Sequence, residues 1–161
     1  KRKEEQEMSA PSILNLVSMI ETIALSHPAV KEFATGEQSL VSLDGASKAV
    51  HVWLEQPFRR RTTNPRVGNM TRQYDLSIMV MDIPEKDRSD ELQLISNCDL
   101  IADWIALRLK ENPPTTLVVS GDWNVMSFAE FGGDLWCGVR MELQITTPLP
   151  LGACDVRNYN P

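Results

Sequence analysis

The sequence has 161 residues, a mass of 18.1 kDa and a formal net charge of −6. Hydrophobic residues make up 42% and charged residues 24%, close to the globular average, which excludes a disordered or collagen-like chain. The longest apolar stretches, such as Leu76–Met81, are too short to cross a membrane, and the charged N-terminus lacks the apolar core of a signal peptide. We therefore expect one soluble, intracellular domain with no membrane partner.

The sequence carries no catalytic or cofactor-binding motif. It has no phosphate-binding glycine loop, no metalloprotease motif and no nucleophile elbow. Cys98, Cys137 and Cys154 form no CxxC pair and are odd in number, which favours buried free thiols over a disulfide framework. His27 and His51 alone do not provide a recognisable zinc site, and His51 is predicted to be a surface or interface residue. We expect a non-enzymatic protein with no cofactor or metal.

The first predicted element is a helix that starts at Ser9 as N-cap, with Pro11 in its first turn. Apolar residues follow at helical spacing, and Pro28 ends the helix. Residues 30–36 are predicted to add a short turn of helix. Two strands, Gln38–Leu43 and Ala49–Gln56, then form a predicted hairpin because Asp44 and Gly45 separate them.

Residues 57–72 are basic and contain no acid, although the chain as a whole is acidic. Their content of Arg, Thr, Asn and Pro predicts a long exposed loop or the flared end of a hairpin. Alternating apolar residues then predict a third strand over Tyr74–Val80.

A second helix is predicted from Ser89 to Lys110. Its apolar stripe is widened by Leu94, Ile101 and Trp104, which predicts burial against both the sheet and a second element. That element is either the first helix or a neighbouring subunit. The stripe itself consists of Leu92, Ile95, Cys98, Ala102, Ile105 and Leu109.

The remaining chain predicts a β-meander. Residues 116–119 and 123–130 are predicted short strands, and the run from Leu135 to Thr146 alternates cleanly, which predicts a long half-buried antiparallel strand. The fold class is α+β, a mostly antiparallel sheet with two main helices packed on one face. We expect a disordered charged terminus over residues 1–8, one domain over residues 9–147 and an extended tail over residues 148–161.

An arginine cluster in the basic segment is the main candidate contact site. It suits docking on an acidic partner, including a second copy of the chain. A nucleic-acid loop and a solvated hairpin tip remain open alternatives. The cluster consists of Arg59, Arg60, Arg61, Arg66 and Arg72, and its predicted acidic counterpart of Glu85, Asp87, Asp90 and Glu91.

Two further groups of residues are candidates for contacts or chemistry. Trp53 and Trp136 fall on the face of their strands opposite the core, which predicts that this face is covered by a helix, the tail or a partner. Six acids could in principle supply a general acid and base, but solvated strand faces or turns also explain them. They are Glu55, Asp75, Asp82, Asp122, Asp134 and Glu142.

Four segments carry a resemblance to a known family: HPAVKEF, VHVWLEQPF, YDLSIMVMDIPEKDRSDELQLISNCDLIADWIALRL and FGGDLWCGVRMELQITTP. Together they resemble tail-terminator and tail-completion (neck, head–tail joining) proteins of tailed bacteriophages, over about residues 9–148. The closing strand and the Pro-x-Pro-x-x-x-Cys pattern of residues 148–154 look most like versions from phages of Bacteroidetes hosts.

The resemblance implies a structural virion protein of the tail or neck, assembled in the host cytoplasm. Such proteins form a ring of six, or of twelve, subunits that contacts tail-tube or portal (connector) proteins, while DNA passes through the channel without specific binding. The family has no catalytic residues. The alternatives are a monomeric ligand-binding module or non-catalytic subunit, and a phage nucleic-acid-associated factor, whose binding would depend steeply on salt.

Overall fold

The computed structural model describes residues 12–37, 49–56, 58–63, 71–111, 117–129 and 136–148. Within them lie two helices, α1 (Ile13–Ser26) and α2 (Glu91–Glu111). The strands are β1 (Val30–Glu37), β2 (Val50–Gln56), β3 (Arg59–Thr63), β4 (Thr71–Asp82), β5 (Val118–Val119), β6 (Asn124–Phe128) and β7 (Cys137–Pro148).

One seven-stranded sheet organises the fold, with the strand order β1-β2-β4-β7-β5. β3 also pairs with β4, and β6 also pairs with β7. All pairings are antiparallel except that of β1 with β2. The two 12-residue strands β4 and β7 pair over their whole length and form the centre of the sheet. The predicted α+β class is confirmed.

Both helices pack on one face of the sheet and share its main core. That core combines the inward residues of β2, β4 and β7 with the buried residues of α1 and α2. The alternation predicted for β7 is confirmed, since Val139, Met141 and Leu143 are buried while Glu142 is exposed. No helix in the described part of the chain is long and apolar enough to cross a membrane.

The start of α1 differs from the prediction. Ser12, not Ser9, caps the helix, and its side chain accepts a hydrogen bond from the backbone N–H of Asn15 at 3.2 Å. Pro11 therefore precedes the cap, and both Ser9 and Pro11 lie outside the described residues. Either serine could serve as a cap, so the sequence did not distinguish them. The end is as predicted, because His27 before Pro28 is extended.

The predicted helical turn over residues 30–36 is wrong, because this segment is β1. It pairs in parallel with β2 from Val30↔Val50 to Glu37↔Gln56. The hairpin prediction for β2 is also wrong, since β1 and β4 occupy its two edges. The predicted partner strand, Gln38–Leu43, lies outside the described residues. Pairing with a distant strand decides the structure here, and local propensity does not reveal it.

The predicted meander after α2 is a different arrangement. β5 and β6 do not pair with each other but lie end to end along the same edge of β7. Val119 pairs with Ile145, and pairing resumes at Asn124 with Glu142. The glycine and aspartate between β5 and β6 therefore interrupt the strands along one edge of β7 and do not form a hairpin turn.

Candidate functional site

The sheet face opposite the helices carries a polar groove of about 680 Å³. We call it the outer groove. It lies at the middle of the sheet, where β4 and β7 are flanked by interrupted strands on both sides. Its lining includes Glu55, Asp75, Ser77, Asp122, Arg140 and Glu142.

Two irregularities in strand pairing form the outer groove. On one side of β4, Leu54 pairs with Ile78 and pairing resumes only at Arg59 with Asp75. The four residues between Leu54 and Arg59 thus lie opposite only two residues of β4. On the side of β7 that faces away from β4, residues 120–123 likewise lie opposite only two residues of β7. Such insertions bend the strand away from its partner and redirect side chains, which opens the groove between them.

An ion-pair network crosses the groove between β2 and β7. The Nε and Nη2 atoms of Arg140 both lie 2.8 Å from Oε2 of Glu55, and its Nη1 donates to Glu142. The hydrogen bond with Glu55 is the main cause that raises the pKa of Arg140 above its ordinary value. The guanidinium therefore stays charged and holds the two carboxylates in place.

Two side-chain oxygens of groove-lining residues have no hydrogen-bond partner within the described part of the chain. Glu55 is 8% exposed, and although its Oε2 accepts from Arg140, its Oε1 is buried without a donor. The hydroxyl of Ser77 is buried and unpartnered as well. An unmade hydrogen bond on a buried polar group costs about 1–3 kcal/mol, and because both oxygens are shielded from solvent, a group in the groove contacts them only if neighbouring side chains move.

The groove brings together four of the six acids considered for acid–base chemistry. Glu55, Asp75, Asp122 and Glu142 line it. Asp82 lies elsewhere and accepts a hydrogen bond from the backbone N–H of Ile83 at 2.7 Å. Of the four acids that line the groove, Asp75 accepts a hydrogen bond from the side-chain amide of Gln144 at 2.8 Å.

Asp134, the sixth acid, lies outside the described residues. The described chain contains no group of three or more His, Cys, Asp or Glu side chains that could hold a metal ion. What the groove offers is recognition of a charged or hydrogen-bonding group by fixed carboxylates and guanidiniums.

The basic segment forms a hairpin, which is one of the two structures predicted for it. β3 pairs antiparallel with the start of β4, from Arg59↔Asp75 to Thr63↔Thr71. We call this pair of strands the basic hairpin. Residues 64–70, including Arg66, lie outside the described residues.

The arginines of the basic hairpin are divided between its two faces. Arg59, Arg60 and Arg61 are all exposed, and none forms an ion pair with a carboxylate of the described chain. Because side chains alternate along a strand, Arg59 and Arg61 share the face of the outer groove. Arg60 lies on the opposite face together with the half-buried Arg72, which pairs with Thr62. The cluster is therefore not a single patch.

The acidic segment 85–91 is folded around its own hydrogen bonds. Asp87 accepts from the backbone N–H and the hydroxyl of Ser89 at 3.2 and 2.8 Å. Asp90 accepts from the backbone N–H of Glu85 at 2.8 Å. Glu85 and Asp87 are nevertheless exposed, so they stay predicted contacts for the arginines of a neighbour.

Glu91 at the start of α2 has a local partner of opposite charge. Its carboxylate pairs with Arg88, whose guanidinium also donates to the backbone carbonyl of Ala129. This pair ties the turn before α2 to the end of β6. Glu91 therefore acts within the chain, and its predicted role toward a neighbouring subunit stays a prediction.

The two outward tryptophans lie on the predicted face but differ in exposure. Trp136 is 2% exposed and packs with Met79 and Met81 in a second, smaller core. His51, predicted to be a surface or interface residue, is buried against the ring of Trp136 in an edge-to-face contact with centroids 4.8 Å apart. This burial does not support Trp136 as a partner contact. Trp53 is half-buried and packs against the same cluster.

α2 exposes a row of leucines on the side away from the sheet. Leu92, Leu100 and Leu107 are 81%, 67% and 47% exposed. At 3.6 residues per turn they lie within about 80° of one another on the helix. The prediction that Leu92 belongs to the buried stripe is therefore wrong. The contact with the first helix is present, since Trp104 packs edge-to-face on His27 at 4.8 Å.

The two described cysteines are buried free thiols, as predicted. Burial is the main cause that raises the pKa of Cys98 to about 12 and the pKa of Cys137 to about 11. The nearby carboxylate of Asp82 raises both further. Since the reactive species is the thiolate, neither thiol is suited to nucleophilic chemistry near neutral pH.

We expect Cys98 and Cys137 to stay unreactive toward Ellman's reagent at pH 8 in the folded protein. Their folded pKa values lie above the unfolded value of about 8.5, so the associated stabilisation is present at pH 8 and is lost as the pH rises through about 11 and 12. The measurement uses Cys154→Ser, which removes the third cysteine. A thiol that reacts before guanidinium unfolding would contradict the burial of these residues.

Comparison with known proteins adds no family to this description. The chain matches no protein-family model, and a search of curated proteins finds no significant match. The kind of protein is therefore inferred from the residues and from the surfaces just described.

Proposed function

We propose that the chain is a structural virion protein, a ring-forming tail-terminator or head–tail connector (neck) subunit of a tailed bacteriophage. In this role it caps the tail tube and joins it to the head around the DNA channel. The role needs surfaces for neighbouring copies and for tube or portal proteins, and it needs no catalytic group. The family resemblance of the sequence and its α+β fold support the proposal.

The exposed leucine row of α2 is the observation that carries the proposal. Large exposed apolar patches mark interaction surfaces on soluble proteins, and the three leucines lie about two turns apart on one side of α2. Leu92 and Leu100 are more than half exposed, whereas the opposite side of the helix is buried against the sheet. A second copy that covers this row would remove apolar area from water at about 25 cal/mol per Å².

The basic hairpin supplies a second surface for assembly. Three consecutive exposed arginines without ion pairs in the described chain favour an acidic partner. A hairpin that faced the channel would place these arginines beside passing DNA, where binding would slow ejection. Docking between subunits, or onto the tube or connector, therefore accounts for the hairpin better than a position in the channel.

Reversing the charge of the hairpin tests this function. We expect the Arg59→Glu, Arg60→Glu, Arg61→Glu variant to keep its fold by circular dichroism but to lose ring assembly and docking, measured by light scattering and by phage complementation. A control with Arg59→Lys, Arg60→Lys and Arg61→Lys keeps the positive charge at the same three exposed positions and is expected to assemble. Unchanged assembly and infectivity in the hairpin variant would contradict the proposal.

The outer groove favours a second candidate function, a monomeric ligand-binding module. The volume of the groove, about 680 Å³, is within the range of small-molecule sites, and its polar lining suits a charged or hydrogen-bonding ligand. This function requires a monomer that binds a small ligand and does not depend on the arginines of the hairpin. The assembly state of the hairpin variant and of the wild type separates the two functions.

A further inference from the structure

The outward side of α2 carries two polar residues between its exposed leucines. At 3.6 residues per turn, five residues lie within about 80° of one another on this side of the helix. We call them the outward strip: Leu92, Ser96, Leu100, Asp103 and Leu107. Ser96 is exposed, and the half-buried Asp103 accepts a hydrogen bond from the indole N–H of Trp123 at 2.9 Å. A partner that covers the leucines must therefore also meet a hydroxyl and a carboxylate.

The leucines of the strip are spaced almost symmetrically about Leu100. Leu92 lies eight residues before it and Leu107 lies seven residues after it, which is about 12 Å and about 10.5 Å along the helix axis. If a second α2 lies antiparallel to the first, with the two Leu100 side chains in contact, Leu92 of one copy comes close to Leu107 of the other. The apolar positions of the strip thus match those of an identical strip related by a two-fold axis.

The two polar residues match in the same arrangement. Ser96 lies four residues before Leu100 and Asp103 lies three residues after it, so Ser96 of one copy comes opposite Asp103 of the other. The serine hydroxyl can donate a hydrogen bond to the carboxylate. A parallel pair of helices would instead place the two Asp103 carboxylates beside each other, and like charges repel. The polar residues therefore favour the antiparallel pair.

The charges at the two ends of α2 favour the same orientation. Residues 85–91, at the start of the helix, include four acids and two bases. The last turn contains Arg108 and Lys110 together with Glu111, so it is basic overall. In an antiparallel pair the acidic start of each helix lies beside the basic end of the other. A second copy is thus complementary to the strip in its apolar positions, its polar positions and its end charges.

We propose that the outward strip of α2 is a two-fold contact, in which the strip of one copy packs antiparallel on the strip of a second copy. The inference rests on the proposed function, in which a second copy covers the leucine row, and adds how the two copies are oriented. A contact between identical surfaces stops at two copies. A closed ring therefore needs a further contact, such as that of the basic hairpin, and contains an even number of subunits.

Thiol cross-linking between copies tests the orientation. Each variant carries one new cysteine in a Cys154→Ser background, where the two described cysteines are buried, and is treated with a short bismaleimide. We expect Leu100→Cys to form a covalent dimer by itself, because the two positions meet at the axis. Leu92→Cys and Leu107→Cys should each fail to cross-link alone and should cross-link to each other when the two variants are mixed.

A matched control and the state of the wild type decide the result. Met126 is 66% exposed against 67% for Leu100, and it pairs with Arg140 of the outer groove on the opposite face, so Met126→Cys should not cross-link. Cross-linking of Leu92→Cys or Leu107→Cys alone overturns the antiparallel contact, as does a Leu100→Cys that links no more than the control. If the wild type then still forms rings, the proposed function stands without this contact. Dimers with the expected cross-links but no ring uphold the contact and contradict the proposed function.

A charge at Ser96 tests the polar match independently of the cross-links. Ser96→Lys places an ammonium opposite each Asp103 of the pair, so we expect the dissociation constant of the dimer to fall about threefold to tenfold. Ser96→Asp should raise it by a similar factor, because carboxylates then meet. Sedimentation equilibrium at low salt, where screening is weakest, measures both. A change in the same direction for both variants, or no change in either, overturns the antiparallel pairing of Ser96 with Asp103.

Discussion

Gly138→Ala is expected to lower the free energy of unfolding by about 3 kcal/mol or more. Gly138 lies opposite Met81 in the central pair of strands. A Cβ atom at this position would lie 2.1 Å from the carbonyl oxygen of Val80 and 2.8 Å from the Cα of Met81. Both are backbone atoms, so β4 and β7 would have to move apart. At 2–4 °C per kcal/mol for a chain of this size, the midpoint of thermal unfolding falls by about 6–12 °C.

Gly121→Ala is the matched control for this substitution. No atom of the described residues lies within 4 Å of a Cβ built at Gly121, so the same added methyl is expected to change stability by no more than about 0.5 kcal/mol. Thermal and denaturant unfolding of both variants provide the comparison. Equal stabilities of the two variants would contradict the close approach of β4 and β7 at Gly138.

The two sides of α2 are expected to separate folding from assembly. Ile105 is fully buried in the main core, and Ile105→Ala should cost about 2–5 kcal/mol of stability. Leu92 and Leu100 are exposed, and replacing both by glutamine should change the stability of the monomer by no more than about 0.5 kcal/mol per site. The glutamine variant should nevertheless lose assembly, because the apolar row is then gone.

Denaturant unfolding and light scattering on the same samples distinguish these effects. Two results would contradict the account of α2: unfolding of the glutamine variant, which would mean that the leucines support the fold, or assembly like the wild type, which would mean that no partner covers the row. A single Leu107→Ala change, at a partly exposed position of the same row, provides a milder test of the same surface.

The elements with a regular sequence pattern could be predicted. β7 alternates apolar and polar residues over its whole length, so both its type and its inward face were predictable. α2 has helical spacing, and the structure begins it two residues after the predicted start. The helix also shows a limit of this reasoning, because helical spacing places Leu92 on the apolar stripe but does not say where the sheet ends.

The elements that depend on distant pairing could not be predicted. The β1 sequence does not alternate, and most of its residues are exposed; its strand geometry comes from β2, with which it pairs in parallel. The end-to-end arrangement of β5 and β6 depends in the same way on their register with β7. Local residues do not encode which distant strand they will meet.

The outer groove could be predicted from the sequence only in part. Three of its acids, Glu55, Asp75 and Glu142, lie at outward positions of predicted strands and are among the candidate acids. Arg140, which joins Glu55 and Glu142, was not among the candidates, although it is the one basic residue on the outward face of β7. The ion-pair partners of Arg140 became apparent only from the register of β2, β4 and β7. The groove forms where strand pairing is interrupted both beside β4 and beside β7.

The proposed ring requires contact surfaces, and three candidate surfaces lie on different sides of the fold. The leucine row lies on the helix side, the outer groove on the opposite sheet face, and the basic hairpin extends β4 beyond the groove.

The mass of the wild-type protein in solution tests the central claim most directly. Size-exclusion chromatography with light scattering, over a wide range of concentrations and followed by electron microscopy of the largest species, gives both the number of subunits and the shape. The account predicts a closed ring of one defined size, with six or twelve copies. A strict monomer at every concentration would contradict self-assembly and would favour the ligand-binding module.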